Sequence, residues 1–419
     1  MASGRNPRKR ATVYLAVLGA AMILTVIGFS ALAAVRVQRR AAESTTDFAA
    51  ARLYAQSAIE LGLLWIDQDA NWRETYTSGV WVANGTIGDG KYTLEGVDPN
   101  DNDLTNSQID TLILTATGVK GAARYKLSVE LGPEPTSGMN FLESAIHVET
   151  FFRANLEVTA DAPISSNGWA RIDGTVNGNV EAVGSIQVEG TLNGTATEGI
   201  DPKEVPDATV FDFYVANAAS ISFSALPLSG GFRELSNTVI SPGYNPHGPT
   251  HTQGLYKIDC QGEPLLIRDV RVHGSLVILD PGDGSRIDGA VNWEPFDAGL
   301  PALLVRGSIE FRWSGTLDEA SLSTNFNPPG SPYPSSGEDT DIFDAYPSIM
   351  KGLIAVSSDL RINAAESIMG VIFNGGAEMR VDNTLDVTHD PTIIANPPPG
   401  FELPPKMRIV SGTWRQVVD

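Results

Sequence analysis

The chain has 419 residues, 42% hydrophobic and 19% charged, so it is long enough for two or three domains and too apolar to be disordered as a whole. Its formal net charge of −21 is unevenly spread: residues 1–40 hold seven Lys or Arg and no acid, leaving 22 basic against 50 acidic side chains beyond them. So acidic a surface repels phosphate backbones and excludes nucleic acid as the expected partner, and a single cysteine, Cys260, excludes an intrachain disulfide.

Residues 1–10 read as a basic tail. Ala11 to Val35 then runs 25 residues without a charge, where about 20 apolar residues suffice to cross the hydrocarbon core as a helix. Residues 11–35 are therefore expected to form a transmembrane helix in contact with lipid. Arg5, Arg8, Lys9 and Arg10 precede it and Arg36, Arg39 and Arg40 follow, a bias that puts the N-terminus in the cytoplasm and the bulk outside the inner (cytoplasmic) membrane. Ala31-Leu32-Ala33 offers the competing reading of a cleaved secretory signal, but the apolar run is about twice the usual length for one. From Ala41 to Ile66 there is no proline and one glycine, Gly62, while Phe48, Ala51, Ala55, Ile59, Gly62 or Leu63, and Ile66 recur at three- and four-residue steps. That spacing predicts an amphipathic stalk helix over 36–70. Nothing between it and the span breaks a helix, so Ala11 to Ile66 is expected to make one rod of about 85 Å at roughly 1.5 Å per residue. Its stripe would pack on the protein's own next domain or on neighbouring subunits.

A small antiparallel β region is expected over 72–132. Alternating Tyr76, Val80, Val82 and Tyr92, Leu94, Val97 flank the turn formers Asn84-Gly85 and Gly88-Asp89-Gly90, and TLILTATG (111–118) and ARYKLSVEL (123–131) add two strands, four in all. Between them Asp98, Asn100, Asp101, Asn102 and Asp103 crowd into six positions. Oxygen ligands so spaced suit Ca²⁺. An EF-hand loop, however, needs Gly where Asp103 stands and Glu where Ile109 stands, so a solvated Asx-rich turn is favoured and no metal ligand is assigned. Residues 133–140, rich in Pro and Gly, read as a linker.

Residues 141–419 contain no convincing amphipathic helix. IDGTVNG (172–178) returns sixteen residues later as VEGTLNG (188–194) and in part as IDGAVN (287–292). A second set, VHGSLVI (272–278), VRGSIEF (305–311) and VSSDLRI (356–362), shares apolar first, fifth and seventh positions at spacings of 33 and 51. Repeats of this kind describe a β-solenoid interrupted by loops such as Asn327 to Glu338. Ile172, Val176, Val180, Ile186, Val188 and Leu192 would stack inward, and Gly174, Asn177 and Gly178 would turn corners. The fold class is thus mainly β, a long N-terminal transmembrane and amphipathic helix, a small antiparallel layer, then a β-solenoid, with a β-sandwich as the alternative.

Side chains able to do chemistry are scattered. Asp280, Asp283 and Asp288 are turn formers that could pair as acid and base. His247, His251 and Cys260 include zinc-ligand types, but Pro246, Gly248 and Pro249 forbid the helix that would align the histidines. Cys260 reads as a small buried hydrophobe. There is no nucleophile elbow, phosphate loop or dinucleotide fingerprint. The expectation is a protein that is not an enzyme, with no catalytic, cofactor-binding or metal residues and no cofactor.

The basic tail, the apolar helix and the run RRAAESTTDFAAARLYAQSAIELGLLWI (39–66) resemble, over about residues 8–70, the N-terminal organisation of type IV pilin-like proteins, in particular PilX-type minor pilus-assembly proteins and the K-type pseudopilins of type II secretion. Arg10 precedes Ala11 and no acid comes before Glu43, so the family's Gly-containing cleavage site and its Glu are not carried over. Over 164–194 the chain, with the phrase IDGTVNGNVEAVGSIQVEGTLNG at 172–194, is similar to bactofilin rungs, which implies a β-helix. These resemblances imply a membrane-anchored structural component of a pilus or secretion assembly whose partners are pilin-like or secretion-assembly proteins, with self-association open. The alternative is an anchored extracytoplasmic protein that binds or cleaves glycans, with Trp293, Phe296, Phe311 and Trp313 as its aromatic platform.

Overall fold

The computed structural model describes residues 7–69, 71–107, 110–134, 138–334, 336–364, 366–403 and 405–418. The expected linker at 133–140 lies partly outside them. The chain forms two compact units, Met1–Thr136 with Pro404–Asp419, and Ser137–Leu403.

In the first unit one helix, α1, runs unbroken over Pro7–Gln68, 62 residues, or about 93 Å at roughly 1.5 Å each. It begins inside the basic tail, with Pro7 at the first position, where a missing N–H costs nothing. A single turn, α2 (Trp72–Thr75), leads to the antiparallel strands β1 (Gly79–Ile87), β2 (Gly90–Val97), β3 (Leu112–Lys120) and β4 (Ala123–Pro133). Alternate residues of the last three, Tyr92 and Leu94, Leu112, Leu114 and Ala116, Tyr125, Leu127, Val129 and Leu131, point to one face and are buried there with Ala51, Ala55, Ala58, Ile59 and Ile66 of α1. Burial of Ile59 or Ile66 contributes about 1.5–3 kcal/mol. The helix lies close because the sheet leaves room: a Cβ on Gly118 would stand 2.0 Å from the Ala51 carbonyl oxygen. Asn84-Gly85 is no turn but an irregularity within β1; the chain reverses at Gly88-Asp89.

Among the described residues the sheet has six strands, not four. Met407–Ile409 and Arg415–Val417 both pair with β4, antiparallel. The β-helix-like domain expected over 141–419 therefore ends at Leu403. These two short alternating runs look like further rungs in sequence; what draws them away is the open edge of β4.

The second unit is a parallel β-solenoid. Three strands make a rung: Ile146–Val148, Phe151–Ala154 and Glu157–Ala160 form one, and Ile164–Ser166, Trp169–Ile172 and Thr175–Asn177 the next. Ile146, Ile164, Val180 and Ala196 stack in register in one column, Val158, Val176 and Leu192 in another. The sixteen-residue spacing of the phrases is thus one rung. The 51-residue spacing of VRGSIEF and VSSDLRI is also one rung, since Val305 pairs with Val356 and Ile309 with Leu360, with the loop between them looped out. VHGSLVI is not in that register: its Ile278, not Val272, faces Val305.

Chain order and stacking order differ. Ile372–Asn374, Met379–Val381 and Leu385–Val387, near the end of the chain, pair with the first rung at 146–160. Rungs 146–198 climb away from that seam, and rungs 219–388 return to it from the far end. The connection at 199–218 must therefore travel the length of the stack. It carries the helix α3 (Val210–Asn217), absent from the sequence reading, whose Val210, Phe211 and Tyr214 belong to one apolar cluster with Leu255, Val277, Leu304, Leu353 and Val371 of successive rungs.

Ile172, Val176 and Val180 are buried as expected, whereas Ile186 and Leu192 are half-buried and Val188 is 44% exposed, because they belong to the last full rung, followed only by Ala196–Glu198. Gly174 serves a close approach: a Cβ there would meet the Leu156 oxygen at 2.2 Å, and one on Gly190 the Gly174 oxygen at 1.9 Å. Asn177 turns no corner. It ends a strand, and its side chain joins a ladder, accepting from Asn193 Nδ2 at 2.8 Å and donating to Glu157 Oε1 at 2.9 Å.

Candidate functional site

The surface with most capacity to act is that of α1. From Tyr14 to Val37 its large apolar side chains, among them Leu18, Met22, Ile27, Phe29 and Val35, are all exposed, and the helix is long and apolar enough to cross a membrane by length and composition. Its polar groups are answered within the helix. Thr25 Oγ1 donates to the Ala21 carbonyl at 2.7 Å and Ser30 Oγ to that of Val26 at 2.8 Å, so neither hydroxyl needs water.

Beyond Val37 the helix becomes two-faced. The predicted stripe, Ala51 to Ile66, lies against the protein's own sheet. Phe48 is the exception: it is 47% exposed and meets the edge of Tyr125 at 5.4 Å. Leu53 and Leu64, on the turns that face away, are 61% and 46% exposed. Tyr54 Oη donates to Asp89 Oδ1 at 2.6 Å and Lys120 pairs with the same carboxylate, tying the helix to the β1–β2 turn. Lys120 holds the Asp89 carboxyl below the ordinary carboxylate range.

The solenoid residues singled out by type do not converge. Asp280 pairs with Arg306 at 3.2 Å and Asp288 with Arg286 at 3.2 Å, so each is matched separately. His251 Nδ1 accepts from the backbone N–H groups of Gln253 and Leu255, stabilising a turn. Cys260 is buried and its thiol is pushed up to about 12, mainly by burial, so it is no nucleophile. With His247 and His251 it forms no three-ligand group among the described residues. Trp293, Phe311 and Trp313 are in the solenoid core, Trp293 donating from Nε1 to the Ala302 carbonyl at 3.1 Å. Only Phe296 of the expected aromatic platform is exposed, which removes that platform. The residues at 98–105 do form the expected Asx turns: Asn100, Asp103 and Thr105 donate their N–H to the carboxylates of Asp98, Asp101 and Asp103.

One pattern escaped the sequence reading. Arg361, Arg380, Arg153 and Arg171 occupy equivalent positions on four successive rungs. Asp382 is bonded by Arg361 and Arg380, both at 2.7 Å, and Asp173 by Arg153 and Arg171, both at 2.8 Å. Hydrogen bonds from Arg171 and Arg153 lower Asp173; at Asp382 burial raises the pKa, but donors from Asn155, Arg380 and Arg361 outweigh it. The signal was present as Arg-apolar-Asp/Asn at 153–155, 171–173, 361–363 and 380–382.

No protein-family model and no curated protein matches the chain. Solved structures similar to it include the competence-associated pilin ComZ from Thermus thermophilus, at 12% identity over 88% of this chain and 98% of that one with a TM-score of 0.31. An ice-binding protein from an Antarctic biological consortium is similar at 11% identity over 61% and 92%, TM-score 0.26, and one from Shewanella frigidimarina at 11% over 61% and 98%, TM-score 0.25. Scores this low leave the functional reading to the chain's own residues.

Proposed function

We propose that this chain is a membrane-anchored, non-enzymatic structural protein, a pilin-like component of a type IV pilus or type II secretion assembly that works through protein contacts. The observation that carries the reading is α1, a single helix whose first half exposes apolar side chains all round while its second half packs a small-residue stripe on its own sheet. In this reading residues 11–35 lie in the inner membrane, the basic tail stays in the cytoplasm and both β units stand outside. Leu53 and Leu64 then face the helices of neighbouring subunits. The acidic solenoid contributes a large contact surface, and its carboxylates and arginines serve cohesion.

The test is the state of the full-length chain in its membrane. Intact mass and fractionation are expected to find the chain, whole or trimmed at its N-terminus, in the membrane fraction. A photo-crosslinking residue placed at Leu53 or Leu64 is expected to capture another membrane-anchored, pilin-like helix. A mature protein beginning after Ala33 and behaving as a soluble monomer would overturn the proposal.

A further inference from the structure

Asp98 follows β2 directly, Asp110 stands two residues before β3, and Asp101 lies in the loop between them. Each offers one carboxylate oxygen, and the three oxygens lie within 4.8 Å of one another. That is the spacing of ligands sharing one ion at about 2.3–2.6 Å. Asp98 is 1% exposed, and while its Oδ1 accepts from the Asn100 N–H at 2.7 Å, its Oδ2 has no hydrogen-bond partner among the described residues. A buried carboxylate oxygen without a donor is what a bound cation would satisfy. Arg73 of α2 supplies a positive charge within range of Asp98 and Asp110 and donates to the carbonyls of Leu104 and Asp110. One guanidinium against three carboxylates leaves two formal negative charges, the complement of a divalent ion.

We propose that Asp98, Asp101 and Asp110 bind one divalent cation, Ca²⁺ in preference to Mg²⁺. The three ligands are all hard carboxylate oxygens, which suits the flexible coordination of Ca²⁺ and not the strict octahedron of Mg²⁺, and among the described residues no His or Cys joins the group to select zinc. The loop is already held at one point, since Leu104 is buried in the core of the small sheet. An ion at the carboxylates fixes both its ends, so Ca²⁺ stiffens the β2–β3 connection and raises the stability of the first unit.

The experiment uses the full-length protein in detergent, stripped with a chelator and titrated with CaCl₂ or MgCl₂ by calorimetry, with thermal melts alongside. We expect one Ca²⁺ site per chain with a Kd of about 10⁻⁴ M and a higher melting temperature with Ca²⁺. Asp101→Asn, at an exposed position, keeps an oxygen to accept the Asp103 N–H, so it is expected to fold without metal and to weaken Ca²⁺ about tenfold or more. Asp98→Asn should abolish binding; if that variant fails to fold, Asp101→Asn decides alone. Absence of binding at millimolar Ca²⁺, or unchanged binding by Asp101→Asn, overturns the site, and equal affinity for Mg²⁺ overturns the preference.

Discussion

In the small sheet, alternate residues of β2, β3 and β4 meet a different element, α1; in the solenoid the same kind of alternation meets its own counterpart one rung away. The first arrangement needs two surfaces to match at a single interface, and every contact there is particular, as with Gly118 beneath Ala51 and Ala55. The second needs one short phrase that matches itself, so the loss of one member is shared by the rungs above and below. The units should therefore fail differently: the helix-on-sheet unit at one position, the solenoid according to place in the stack.

The largest effect is expected at Gly118. Its Cβ would stand 2.0 Å from one backbone atom of α1 and 2.7 Å from another, so Gly118→Val cannot be relieved by turning a side chain. We expect a loss of about 3 kcal/mol or more and the release of α1 from the sheet. Hydrogen exchange on the detergent-solubilised chain is the measurement: residues 51–66 should lose protection while 146–193 keep it. Simultaneous loss in both would mean the two units do not fail separately, and the contrast would not hold.

Within the solenoid, position in the stack should set the cost. Ile164 pairs with Ile146 on one side and Val180 on the other, whereas Leu192 has Val176 on one side and no full rung beyond it. Ile164→Ala is expected to cost about 3 kcal/mol and Leu192→Ala under about 1 kcal/mol, read from denaturant midpoints. Equal costs would show that the last rung is covered as well as the interior is.

How far each unit could be read from sequence follows the same divide. The apolar helix and the sixteen-residue phrases were legible because each carries its own period: Val176 and Leu192 announce their pairing through identical surroundings. The stripe on α1 was legible as a stripe, but its partner was not, since nothing in Ala51 or Ala55 names Gly118. What misled was order. A period says that rungs stack, not which rung lies on which, so neither the return of 366–388 to the first rung nor the passage of α3 along the stack could be read. Met407–Ile409 and Arg415–Val417 failed for a related reason: three-residue alternation fits any open edge. The aromatic platform failed because Trp293 and Trp313 carry no mark of inside or outside beyond alternation, which the neighbouring loops obscure. Of the cation site only Asp98 and Asp101 stood out, because Asp110 lies beyond the crowded run and only folding brings it back.

The seam where 372–387 meets the first rung at 146–160 offers the most specific test, with a smaller effect than at Gly118 or Ile164. His147 lies in the seam strand, with Ser165 on one side and Phe373 on the other, its Nδ1 2.7 Å from Ser165 Oγ and its ring stacked on Phe373. Burial first, and the charge of Lys203 second, lower its pKa from 6.5 to about 3. In the unfolded chain this histidine binds a proton below its ordinary pKa, while in the fold it stays neutral until near the lower value. Stability held above the ordinary pKa is therefore lost as pH falls through the interval, at about 1.4 kcal/mol per pH unit, or roughly 2 kcal/mol between neutrality and about pH 5. The carboxylates of Asp173 and Asp382, held below the ordinary range, give up their contributions only at lower pH, so the slope just below neutrality belongs to the histidines that burial lowers, His147 together with His247 and His273. Denaturant midpoints of the wild type should slope downward with acid across it. His147→Gln, which keeps a polar side chain near Ser165 but cannot take up a proton, should make the slope shallower by this histidine's share and leave that of His247 and His273. An unchanged slope in that variant would mean that the seam opens far enough in the native state for His147 to titrate as it does in water.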